Sequence, residues 1–201
     1  MAGNLKLYLP DENGTVHLDE YGAFLRDLGA PLIPHGHMLW IIRIVLLACV
    51  IAHIYGAFAL TARSNAARGK FKRTNLMGGL DSFATKTMLV TGIVLLLFIV
   101  FHILDLTMGV QPVAPESFVH GAVKANMIAT FSRWPVTIIY VIAMLCLFLH
   151  LTHGIRLAAS DLGITGAKWR EVFVVLAYIV PAVVCLANIV MPLSVALGWV
   201  S

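Results

Sequence analysis

Four stretches of the chain are apolar almost without interruption: residues 38–62, 86–107, 134–158 and 172–200. Each reaches the ~20 residues that a helix needs to cross a hydrocarbon core. Lipid offers backbone N–H and C=O groups no partner, so such runs are stable only when hydrogen-bonded internally, as helices. The pattern predicts an all-α integral membrane bundle of four transmembrane helices, residues 38–201, preceded by an outer N-terminal segment, residues 1–37. Within that segment DEYGAFLRDL (19–28) has amphipathic helical spacing and is closed by Gly29 and Pro31, which predicts a short helix. Residues 110–130, with prolines at 112 and 115, read as a loop.

Composition sharpens this picture. The chain is 60% hydrophobic and 12% charged, against about 45–50% and about 25% in soluble domains. A net charge of +4 does not point to nucleic acid, because the basic residues flank the apolar runs, where topology accounts for them. Arg63, Arg68, Lys70, Lys72 and Arg73 lie between the first and second runs with Lys86 at the start of the second, and Lys168 and Arg170 lie between the third and fourth with Arg156 near the end of the third, nine in all. The opposite side carries four: Lys6, Arg26, Lys124 and Arg133. The positive-inside rule therefore places residues 63–85 and 159–171 in the cytoplasm, and 1–37 and 108–133 outside. Trp40, Trp134, Trp169 and Trp199 fall near span ends, as an interfacial belt requires. Cys49, Cys146 and Cys185 lie in apolar runs without a CxxC and suggest neither disulfides nor a zinc site.

The candidate chemistry lies in the histidines, since ionisable groups inside a membrane are costly and by default functional. His53 is ten residues before Arg63 and His150 ten before Ser160, so each sits ~15 Å from the cytoplasmic end of its span. Two imidazoles at one level on two helices suit the axial positions of a heme b. A hydrogen bond to a carbonyl or to a neighbouring helix is the competing use. His102 lies five residues before Thr107, near the outer surface, and no other span carries a histidine at that level. His153, one turn beyond His150, suits a propionate or backbone contact. Arg43, inside the first span, would be compensated by a propionate or would snorkel to the surface. Gly56 and Gly154 leave room for a macrocycle or for close helix packing. Asp105, one turn from His102, is a candidate proton relay or an interfacial residue.

The segments HIYGAFALTARS (53–64), GKFKRTNLMGG (69–79), LVTGIVLLLFIVFHILDLTMG (89–109), FSRWP (131–135) and LHLTHGIRLAASDLGITG (149–166) resemble the cytochrome b membrane anchor of succinate dehydrogenases and fumarate reductases, in the class with one anchor polypeptide and two hemes. That family has five helices. By position, His53, His102 and His150 match the ligands of its second, third and fourth helices. The resemblance pairs His53 with His150 around the heme near the iron–sulfur subunit and His102 with a first-helix histidine. This chain's first span matches the family's second, and MAGNLKLYLP resembles the stretch after the first helix. Start misassignment, truncation or a helix from another subunit would each account for this; an N-terminally incomplete chain is the expectation.

The resemblance implies a subunit of succinate:menaquinone oxidoreductase in the cell inner membrane, serving electron transport and the tricarboxylic acid cycle without binding dicarboxylate itself. Its expected partners are a flavoprotein subunit, an iron–sulfur subunit, quinone and the lipid bilayer, with room for an additional small membrane subunit and no nucleic acid. Its expected cofactors are one heme b within this chain, a second at His102 if a partner helix supplies a ligand, and menaquinone. The alternatives are a cytochrome b anchor of another respiratory dehydrogenase, a transporter, or a heme-free structural anchor.

Overall fold

The computed structural model describes residues 2–9, 16–70, 79–164 and 166–200. Among them every regular element is helical: α1 (Ala2–Leu5) with a 3-10 turn at Lys6–Tyr8, α2 (His17–Arg26), α3 (His37–Arg68), α4 (Gly79–His102) prolonged by a π-helical turn at Ile103–Met108, α5 (Val123–Phe131), α6 (Trp134–Asp161) and α7 (Ala167–Ala196). Four segments are long and apolar enough to cross a bilayer: His37–Ala67, Thr87–Met108, Trp134–Asp161 and Ala167–Ala196. The chain is a multi-pass helical membrane protein, as the apolar pattern requires. The fourth span begins five residues before the apolar run because Ala167 follows Gly166 directly into helix, and it ends at Ala196, before Gly198 at φ 73°. Pro181 and Pro192 lie inside α7; a membrane helix tolerates them where neighbours satisfy the freed carbonyls.

The chain divides into two compact units, Glu20–Leu76 and Met1–Asp19 with Met77–Ser201. In the first, α3 starts after Gly36, whose N–H donates to the Arg26 carbonyl at 2.8 Å. His35 Nδ1 pairs with the Asp27 carboxylate nearby. The basic link beyond α3 is described through Lys70; Lys72 and Arg73 lie outside the described residues, as do the side chains of Arg68 and Lys86.

In the second unit α6 packs along both α4 and α7, and α5 lies against α6, α7 and the π-helical turn. One core joins these elements to the N-terminal segment: Leu7, Leu18, Met127, Phe131, Val136, Tyr140, Met191 and Val195. The N-terminal residues are tied in by polar contacts as well. Tyr8 shares a hydrogen bond with Ser194 Oγ at 3.0 Å. The Asp19 carboxylate accepts from the Lys124 N–H at 2.9 Å, satisfying one of the orphan donors that a helix N-terminus leaves.

The stretch expected as a loop at 110–130 contains α5. Its buried positions Asn126, Met127, Thr130 and Phe131 follow the i, i+4 spacing of a helix. Asn126 also receives the Val119 N–H and donates to its carbonyl, at 2.9 and 2.7 Å, which folds the preceding loop onto the helix.

Candidate functional site

The C-terminal end of α4 builds a buried polar cluster. Through Ile103–Met108 the helix widens to π geometry, a local distortion often found at functional positions, and Asp105 within it is 0% exposed. Its carboxylate is fully engaged. Oδ1 accepts from Arg133 Nη2 at 2.8 Å and Thr130 Oγ1 at 3.4 Å, and Oδ2 accepts from the Tyr140 hydroxyl at 3.1 Å. A buried carboxylate needs such compensation. Arg133, at the N-cap of α6, also donates Nη1 to the Val113 carbonyl at 2.8 Å, so one guanidinium pins the loop before α5 to the carboxylate. The π-helical turn is closed by Gly109 at φ 67°, where a Cβ would run into the Phe118 ring.

Tyr140 is the junction of this cluster. Its ring meets Phe98 and Phe131 edge-on at 4.9 Å each, which fixes its orientation. Besides donating to Asp105, its oxygen lies 3.2 Å from His102 Nδ1. A tyrosine hydroxyl has one proton. With that proton given to Asp105, the oxygen accepts from His102 Nδ1–H. The imidazole is thereby set as the Nδ1–H tautomer, with its Nε2 edge pointing away from Tyr140.

His150 repeats this logic elsewhere on the same helix pair. Its Nδ1 lies 3.3 Å from Thr91 Oγ1, and Thr91 donates its single hydroxyl proton to the Met88 carbonyl at 3.0 Å. With that proton donated to the Met88 carbonyl, Thr91 Oγ1 can accept from His150 Nδ1–H. The ring rests against Gly92, where a Cβ would stand 3.4 Å from its Cε1. Thr91 and His102 are eleven residues apart on α4 and its continuation, so the two imidazoles mark levels ~16 Å apart along that helix.

The remaining predicted site residues fall as follows. His53 lies mid-span on α3, in the other unit; Arg43, near the start of the same helix, has its guanidinium 5.1 Å over the Trp40 ring. His153 is half-buried one turn beyond His150. Arg156 stands 5.8 Å over the Tyr178 ring and links α6 to α7. His120 packs edge-on against Phe118. Asn188 donates to the Val184 carbonyl of its own helix at 2.8 Å, a packing role. Gly154 admits Met88 of α4, with 3.8 Å from an added Cβ to the thioether methyl. The three cysteines are free.

A heme b requires neutral imidazoles that offer one ring nitrogen while the other is held by a hydrogen bond. His102 and His150 both meet that chemistry at Nδ1, and Gly92 keeps the His150 ring clear of a side chain. These residues fit the group. The sequence alone does not mark Tyr140, Thr91 or Gly92 as site residues. The usable signal was spacing: His102 and Asp105 share a helix face, and Arg133, Thr137 and Tyr140 share another.

A family model described as succinate dehydrogenase/fumarate reductase transmembrane subunit matches residues 72–190, more than half of the chain. No curated protein and no solved structure matches it.

Proposed function

We propose, from the premise that this chain belongs to the succinate dehydrogenase/fumarate reductase transmembrane-subunit family, that it is the heme b electron-transfer anchor of its complex. In this reading it joins an iron–sulfur subunit, itself partnered by a flavoprotein, to menaquinone at the inner membrane. The observation that supports it most is the tautomer control at His150 and His102, each held at Nδ1 by a hydroxyl that has no second proton to give. A heme b supplies reversible one-electron transfer when bound. His53 and His150 would hold the one near the iron–sulfur subunit; His102 would hold the outer one together with a ligand from a partner helix.

The chain's own residues do the rest. Thr91 and Tyr140 orient the imidazoles. Phe98, Phe101 and Phe131 surround the Tyr140 ring and keep water from its hydrogen bonds. Arg133 compensates Asp105 beside the outer loop, where quinone would exchange electrons. His153 and Arg43 are proposed propionate contacts, and the basic link after α3 is the proposed dock for the iron–sulfur subunit. Reduced-minus-oxidised spectra of the purified complex test the reading: a b-type alpha band is expected, and its absence would reject the heme assignment.

A further inference from the structure

Both histidines on the α4–α6 pair are held through a hydroxyl, but the two hydroxyls lead to different ends. Thr91 passes its proton to a neutral acceptor, the Met88 carbonyl, at 3.0 Å. Tyr140 passes its proton to Asp105, a buried carboxylate paired with Arg133 at 2.8 Å. A hydrogen bond that ends on an anion withdraws the proton from the donor more strongly than one that ends on an amide. Chained hydrogen bonds in a low-dielectric interior polarise one another in the same sense.

We propose that Tyr140 and Asp105 are positioning residues that make His102 a more electron-donating imidazole, and so lower the potential of an iron that His102 ligates. The path is continuous and short: His102 Nδ1–H to the Tyr140 oxygen at 3.2 Å, then Tyr140 O–H to Asp105 Oδ2 at 3.1 Å. Hydrogen bonding to the far nitrogen of a ligating histidine raises its basicity, and greater donation favours the oxidised metal. The packing serves the same end. Tyr140 is 5% exposed and Asp105 0%, so water does not screen the relay. Arg133 engages Oδ1 and leaves Oδ2 for the tyrosine.

This inference rests on the proposed heme reading, and the test separates the two. The native complex is purified with His102→Ala, Tyr140→Phe, Asp105→Asn or Thr91→Val in this subunit. Heme is counted per complex, and each heme is titrated by spectroelectrochemistry with low-spin electron paramagnetic resonance. His102→Ala is expected to remove one heme. Tyr140→Phe and Asp105→Asn are expected to retain that heme, shift its midpoint potential upward and alter its resonance, whereas Thr91→Val leaves its potential in place. If His102→Ala removes a heme but Tyr140→Phe leaves its potential and resonance unchanged, the inference is wrong and the heme reading stands. If His102→Ala leaves every heme in place, His102 is no ligand and the inference falls with that assignment. Should Asp105→Asn fail to assemble, Tyr140→Phe still decides, since it deletes one hydroxyl and keeps the ring packing.

Discussion

The most consequential single residue of the polar cluster at the end of α4 is Arg133. It pairs with a carboxylate that is wholly buried and simultaneously bonds the loop carbonyl of Val113. Removing one member of a buried pair leaves the other uncompensated, at a cost of roughly 3–5 kcal/mol. Arg133→Leu is therefore expected to lower the thermal stability of the purified subunit markedly. A simultaneous Asp105→Leu should recover much of the loss; additive damage from the two changes would show that they are not coupled. Thr130→Val, which removes only the long 3.4 Å contact, should cost about 1 kcal/mol or less. Little of this was legible in the sequence. Asp105 stood out as an acid inside an apolar run, but its partner lies 28 residues on, at a span end where a basic residue already has a topological explanation.

At the scale of elements, the spans were legible because length and apolarity are direct consequences of the bilayer. Their rotation was not. A membrane helix that is apolar on all faces carries no stripe to show which side meets a neighbour, so the alignment of Tyr140 with His102 and of Thr91 with His150 required coordinates. The π-helical turn was equally hidden, since nothing in ILDLTM departs from helical composition. Its terminator was visible only as a glycine. Gly109 combines φ 67° with a Cβ position occupied by the Phe118 ring, so Gly109→Ala must strain the backbone and displace the ring together. A clear fall in melting temperature is expected, larger than for Gly121→Ala, which keeps a positive φ but meets nothing within 4 Å among the described residues. Equal effects would mean that conformation alone matters at position 109. The short helix expected from 19–28 appears as α2, His17–Arg26, shifted to where Asp19 can cap α5. Helix α5 is hidden in the sequence because its polar positions and the prolines before it read as loop.

For the whole molecule, the sequence pattern and the structure agree on a four-span helical membrane protein, and the family match agrees on a subunit of succinate/fumarate oxidoreductase complexes. The charge distribution predicts an orientation, with nine basic residues on one expected side against four on the other. A single cysteine introduced as Ser64→Cys should react with impermeant maleimide only from the cytoplasmic face, and Ser117→Cys only from the outer face; the reverse pattern would invert the assigned topology. The central claim concerns what the bundle carries. Reduced-minus-oxidised difference spectra of the purified complex, with heme quantified per subunit, test it most directly. A b-type alpha band is expected in the native protein, with one heme lost in both His53→Ala and His150→Ala. A native complex without that band, or two variants that both keep their full heme content, would contradict it.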